Sequence, residues 1–124
     1  MSATARRRRA ERRGRWAESL CLWALRLKGY RILARDYRVR VGEIDILARR
    51  GQVLAAVEVK ARATEALAQE AVTPHQRRRI LRAATHFLTG RPDLQHLTLR
   101  FDVMLVLPGR FPHHLRNAWQ ADGG

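Results

Sequence analysis

Gly42-Glu43-Ile44-Asp45-Ile46 and Val57-Glu58-Val59-Lys60 flank a turn candidate, Arg49-Arg50-Gly51-Gln52, in which Gly51 can take a positive φ. The intervening runs, Ile44-Asp45-Ile46-Leu47 and Val53-Leu54-Ala55-Ala56-Val57-Glu58-Val59, are apolar and β-branched, with carboxylates only at alternate positions. That pattern predicts two antiparallel strands.

Side chains alternate across a strand, so Ile44 and Ile46 are expected on one face and Glu43 and Asp45 on the other. On the second strand Val53, Ala55, Val57 and Val59 oppose Leu54, Ala56, Glu58 and Lys60. If the isoleucines join the valines in a core, paired residue numbers must sum to an odd value, as with a tip at Arg50-Gly51 and Ile44 opposite Val57. The same registers bring Glu43, Asp45, Glu58 and Lys60 together.

Carboxylates crowded on an apolar hairpin repel one another and call for a counter-charge. Mg²⁺ or Mn²⁺ would supply one, since a hard cation takes one or two carboxylates plus water and phosphate oxygen. Lys60 then stands where an ammonium can steady an attacking water or the charge developing on a phosphoryl group. This is the donor set of a metal-dependent phosphodiesterase. The bland alternative is a cross-strand Glu/Lys pair on an ordinary hairpin, worth little energy.

Composition bears on both readings. Of the 25 basic residues only Lys28 and Lys60 are lysine, so an otherwise arginine-using chain places a compact ammonium within its acidic cluster. The net charge of +14 favours nucleic acid or another polyanion as partner, and seven arginines fall within the first 15 residues. At 124 residues the chain is sized for one domain. A single Cys21 excludes an internal disulfide framework and a cysteine-rich zinc site, and it fits a reducing, cytoplasmic setting. There is no run of eighteen apolar residues, and residues 16–27 are interrupted by Glu18 and Arg26, so no membrane span or secretory signal is expected.

The remaining elements follow from periodicity. Residues 1–13 read as a disordered basic arm, residues 14–119 as the domain, and residues 120–124 as a tail. Residues 16–28 predict a helix closed by Gly29. Trp16, Leu20, Trp23 and Leu27 form one apolar stripe, and Leu22 and Leu25 form another that includes Glu18. A helix apolar over so much of its circumference is expected to be largely covered. Glu18 then needs either an arginine partner or a place at the acidic cluster.

Residues 30–40 predict a first strand, and residues 61–71 a loop beside the hairpin. Thr73-Pro74-His75-Gln76 has the form of a capping box opening a second helix. Ile80, Ala83, Ala84 and Phe87 would face inward on that helix. Arg78, Arg79 and Arg82 on its outer side, with Arg62 just after the hairpin, are candidate phosphate contacts. Residues 97–107 alternate as a strand whose Asp102 is expected to be an ion-pair partner, and a short C-terminal strand follows. His113 and His114 would face opposite ways and form no metal pair.

The order helix with Glu18, strand, hairpin with Asp45 and Glu58-Val59-Lys60, helix and strand resembles the PD-(D/E)xK, or restriction-endonuclease-like, α/β fold: a mixed sheet with a central hairpin flanked by helices. More narrowly, Ala17-Glu18, Gly29-Tyr30, Gly42-Glu43-Ile44-Asp45, Val57-Glu58-Val59-Lys60-Ala61-Arg62, Ala71-Val72-Thr73-Pro74 and Arg100-Phe101-Asp102-Val103 resemble the bacterial YraN family, which has been likened to archaeal Holliday-junction resolvases. The resemblance implies that Asp45 and Glu58 hold the metal with help from the Val59 carbonyl. It further implies that Lys60 is the catalytic lysine and Glu18 the helix-borne acid of the site. Gln76-Arg77 departs from the Lys-Gln often found there in the family, which leaves Gln76 as a capping residue. The expected activity is a Mg²⁺- or Mn²⁺-dependent endonuclease on DNA, with branched DNA a candidate substrate and a homodimer a candidate assembly. The alternative is a non-catalytic nucleic-acid-binding module with structural acids.

Overall fold

The computed structural model describes residues 3–61 and 72–121, with side chains from Gly14 onward. Arg62 and the expected loop lie outside the described residues. Along the chain run α1 (Ala3–Leu27), β1 (Arg31–Val39), β2 (Gly42–Arg50), β3 (Val53–Ala61), α2 (Pro74–Thr89), a 3₁₀ turn (Pro92–Leu94), β4 (Thr98–Val106) and β5 (His113–Trp119). No helix among the described residues is long and apolar enough to cross a membrane.

The five strands form one mixed sheet in the order β1-β2-β3-β4-β5. Every neighbouring pair is antiparallel except β3 and β4, which are parallel. A parallel pair needs a crossover, and α2 supplies it. The two helices cover opposite faces of the sheet: Ile80, Ala83 and Ala84 of α2 pack on Leu47, Leu54, Ala56, Val103 and Leu105. Ala17, Cys21, Ala24 and Leu25 of α1 pack on Ile46, Ala48, Ala55, Val57 and Met104. This is the layered α/β arrangement of a restriction-endonuclease-like core. Shortening a fully buried residue such as Leu47 to Ala would leave a cavity costing roughly 2–5 kcal/mol.

Local signals account for most boundaries. Gly29 ends α1 at φ 89°, and the Tyr30 N–H reaches back to the Leu25 carbonyl at 3.0 Å, a Schellman closure. At α2 the Thr73 Oγ1 accepts from the Gln76 N–H at 3.2 Å and the Gln76 side chain accepts from the Thr73 N–H at 3.1 Å, the reciprocal box expected from sequence.

Two expectations are corrected. Residues 3–13, read as a disordered arm, continue α1 toward the N-terminus. Alanine and arginine are good helix formers, and once the packed half of the helix is nucleated each added residue is inexpensive. The second correction concerns cover: Trp16, Trp23 and Leu27 are 55%, 64% and 74% exposed. The face of α1 carrying Ala17, Cys21, Leu22, Ala24 and Leu25 sits on the sheet with Leu20 at its edge, so Trp16, Trp23 and Leu27 turn outward.

Candidate functional site

The hairpin turns at Gly51-Gln52, with Gly51 at φ 60°, and pairs Arg50 with Val53, Ala48 with Ala55 and Ile46 with Val57. Paired numbers sum to an odd value as expected, and the register is two residues further along than Ile44 opposite Val57. On β3, Leu54 and Ala56 face α2 while Ala55 and Val57 face α1. By alternation Glu58 and Lys60 follow Ala56.

β2 departs from its expected alternation. Ile46 lies in the core under α1, whereas Ile44 lies in the core under α2. The two isoleucines therefore do not share a face. The same inversion occurs on β1, where Ala34 and Tyr37, three residues apart, both pack on the α2 side opposite Leu47 and Ile44. Between them Asp36 takes φ 49°, a conformation that Asp tolerates better than most side chains. The two strands thus bend together where Asp36 and Asp45 meet.

The β2–β3 pairing stops at this bend. Beyond Ile46 and Val57 the backbone N–H of Val59 is taken by Asp45 Oδ2 at 2.8 Å. A side-chain carboxylate thereby replaces a main-chain acceptor, and the gap opened between the strands holds the acids. Glu58 is 8% exposed. Burial raises its carboxyl to about 8, and the charge of Asp45 adds to the rise, against the Lys60 ammonium and the Asp45 backbone N–H. Burial likewise raises Asp45, against the Val59 N–H and Lys60. Two desolvated carboxyls, one raised further by the other's charge, are a poor arrangement without a cation.

Glu18 joins them from α1. Its side chain, 20% exposed, lies 3.8 Å from the Arg35 Nε. Burial raises it first, then the charge of Asp45, and Arg35 opposes both. Both roles foreseen for Glu18 are therefore present, an arginine partner and a place beside the cluster. A cleft of about 440 Å³ is lined by Arg15, Glu18, Asp36, Arg38, Asp45 and Val59 among others. Glu58 and Lys60 are not among its lining residues.

Three residues of the cleft were not read from sequence. Asp36, Arg38 and Arg15 look like solvated strand and helix surface residues until the bend is seen. One trace was available: the apolar positions of β1 are 32, 33, 34, 37 and 39, and the step of three from Ala34 to Tyr37 marks the inversion.

Glu43 does not belong to the acidic cluster. It accepts from Arg79 at both oxygens, at 3.2 and 2.7 Å, which ties the start of β2 to α2. The Arg79 hydrogen bonds lower the Glu43 carboxyl from its ordinary value and engage Arg79, which was expected among the phosphate contacts. Arg78 and Arg82 are exposed along α2. Asp102 is fully buried and accepts from Arg100 Nε at 2.9 Å, from Arg100 Nη2 at 2.7 Å and from the Asn117 N–H at 3.0 Å. His114 Nε2 lies 2.7 Å from the same carboxylate. Burial acts to raise Asp102, but these bonds prevail and hold it at about 2. It is the structural ion-pair partner the sequence predicted.

Among the described residues no three His, Cys, Asp or Glu side chains are grouped so as to hold a metal ion by themselves. The donors do fit a cation that needs fewer. Asp45, Glu58 and the Val59 carbonyl are hard oxygen donors, and Mg²⁺ ordinarily retains several waters.

The model of the uncharacterised protein family UPF0102 matches residues 17–106, a span containing Glu18, Asp45, Glu58, Lys60 and Asp102. A UPF0102 protein of Maricaulis maris is 53% identical over 94% of this chain and 91% of its own length. Those of Parvibaculum lavamentivorans and a Chelativorans species are 51% identical over 90% and 84%, and 50% identical over 98% and 99%, respectively. The chain belongs to the UPF0102 family, the YraN family its motifs resemble.

Proposed function

We propose that this protein is a Mg²⁺- or Mn²⁺-dependent nuclease acting on DNA, with branched DNA the favoured substrate. The observation that carries this reading is the opened hairpin, where burial raises both Asp45 and Glu58, the charge of Asp45 raises Glu58 further, and the charge of Lys60 opposes both. Asp45, Glu58 and the Val59 carbonyl would hold the cation, which when bound would offset their charge and that of a non-bridging phosphate oxygen. Glu18 lies across the cleft from the hairpin, where its raised carboxyl can hold and orient a water. Lys60 would support the attacking water and the charge that develops at phosphorus. The exposed Arg78 and Arg82, together with the excess of positive charge, would hold the backbone of the nucleic acid.

A second reading, a non-catalytic nucleic-acid-binding module, is favoured by one observation: no trio of ligating side chains is grouped among the described residues. The discriminating experiment is incubation with linear, flapped, nicked and four-way DNA and with structured RNA, each with Mg²⁺, Mn²⁺ or chelator. Metal-dependent cleavage lost in Asp45→Asn supports the nuclease. Binding without cleavage across the whole set supports the module.

A further inference from the structure

Trp16, Leu20, Trp23 and Leu27 recur on α1 at intervals of four, three and four residues, the spacing of a coiled-coil seam. The opposite side of the helix, through Ala17, Cys21, Ala24 and Leu25, is consumed by the sheet. The seam itself is open, with Trp16, Trp23 and Leu27 each more than half exposed. Single exposed apolar residues are ordinary, whereas a contiguous stripe with two tryptophans marks a contact surface.

We propose that a second copy of this chain docks on the stripe, with the two α1 helices antiparallel about a two-fold axis level with Cys21 and Leu22. Three features favour that occupant. The order Trp-Leu-Trp-Leu is self-complementary only when reversed: antiparallel pairing sets Trp16 against the partner's Leu27 and Leu20 against the partner's Trp23. Each large ring then meets a smaller side chain, whereas parallel pairing would stack ring on ring and leave leucine against leucine. An isologous contact of this kind is what a two-fold dimer requires.

Charge gives the same answer. Seven arginines lie within residues 6–15, along the N-terminal half of α1. Parallel helices would lay both blocks side by side, while antiparallel helices carry them to opposite ends. Area sets the strength. Two half-exposed indoles and the leucines offer roughly 400 Å² per copy, given about 150–250 Å² for a whole aromatic side chain. For the two copies together that is roughly 800 Å², to which arginine stems alongside would add, placing the contact just below the roughly 1,200 Å² of the smallest stable interfaces. The dimer is therefore concentration-dependent. It sets residue 16 of one copy about 16 Å along the helix axis from residue 16 of the other, eleven residues at about 1.5 Å each.

The test is sedimentation equilibrium of the full chain over a wide range of concentration. The wild type should show a reversible monomer–dimer equilibrium. Trp23→Lys and Leu20→Glu should each weaken it by roughly thirtyfold or more, the scale for losing a central anchor. Far-UV circular dichroism should stay unchanged for both, and the thermal midpoint for Trp23→Lys, whose ring lies on the outer side. Leu20 is half-buried and also packs on the α1-side core, so Leu20→Glu should lower the midpoint while leaving the chain folded. Mixing the two variants should restore a heterodimer, since residue 20 faces residue 23 only in the antiparallel pairing. The proposal is overturned by a wild type that stays monomeric, by variants that still dimerise, or by a mixture that does not associate. A monomer whose nucleic-acid affinity falls on Trp23→Lys also overturns it, and would make the stripe a base-stacking surface.

Discussion

Asp45 accepts the backbone N–H of Val59 through its side chain, at 2.8 Å, where a continuing hairpin would offer a β2 carbonyl. The substitution of side chain for main chain lets β2 and β3 part without leaving that N–H unsatisfied in a buried place. It also fixes the orientation of the carboxylate assigned to the cation. Asp45→Asn keeps an acceptor oxygen for the Val59 N–H but not the charge, so the fold should persist while calorimetric Mn²⁺ binding disappears. Undiminished Mn²⁺ binding by that variant would remove Asp45 from the metal site.

The pH dependence of metal binding should report Glu58. Its carboxyl titrates near 8 in the folded chain, against 4.5 ordinarily, because of burial first and Asp45 second. A raised folded value means that the metal-free protein is stabilised below pH 4.5 and loses that stability as pH rises through about 8. A cation needs the ionised form, so its apparent affinity should rise by up to about tenfold per pH unit below pH 8 and level off above. Mn²⁺-induced increases in thermal midpoint, measured from pH 6 to 9, should follow that curve in the wild type and flatten in Glu58→Gln.

Gly42 is needed for contact rather than for a turn. A Cβ added there would lie 1.8 Å from the backbone carbonyl oxygen of Arg79, which no side-chain rotation relieves. Gly42→Ala should therefore push α2 off the sheet and cost about 1–3 kcal/mol in denaturant titrations. Glu43→Gln beside it removes only a half-exposed ion pair and should cost no more than about 1 kcal/mol. Equal effects of the two would show that the close approach is not structural.

Asp102 should dominate acid stability. Held at about 2 against an unfolded 3.8, it contributes stability that is present above pH 3.8 and lost as pH falls through about 2. The shift corresponds to roughly 2 kcal/mol. Asp102→Asn should lower stability at neutral pH by about 3–5 kcal/mol, because Arg100 keeps a buried charge without its partner. Urea titrations at several pH values between 2 and 5 would show a shallower slope in the variant.

Nucleic-acid binding should be steeply salt-dependent, with log K falling by about 0.9 per unit of log salt for each duplex phosphate neutralised. Arg78→Ala or Arg82→Ala should each reduce that slope by about 1, whereas Arg79→Ala should act mainly on stability through Glu43. A slope unaltered by Arg78→Ala and Arg82→Ala together would move the interface off α2.

The elements of this fold were legible because their signals are local. The box at Thr73 and Gln76, the glycines at 29 and 51, and the alternation of β3 and β4 each depend on neighbours in sequence. The proximity of Asp45, Glu58 and Lys60 was legible for the same reason. What escaped depends on contacts distant in sequence. The bend at Asp36 and Asp45 inverts both strands at once, so a strict period of two put Ile44 and Ile46 on one face. Glu43 was grouped with the acids of the hairpin and Arg79 with the phosphate contacts, because nothing local reveals that the two, 36 residues apart, meet. The outward face of α1 could not be told from its inward face by hydrophobicity, since both carry large apolar residues: Leu22 and Leu25 lie inside with Ala17, Cys21 and Ala24, while Trp16, Trp23 and Leu27 lie outside.

The account stands most directly on Lys60. Single-turnover cleavage of branched DNA in Mg²⁺, measured for wild type and Lys60→Ala at matched DNA occupancy, should fall by roughly 10²-fold or more in the variant, the scale for losing one electrostatic stabiliser. DNA affinity should be nearly unchanged, and Lys60→Arg should recover only part of the rate, because a guanidinium keeps the charge and not the compact shape. Wild-type cleavage rates in Lys60→Ala would contradict the account and leave this lysine as no more than the counter-charge of a buried hairpin.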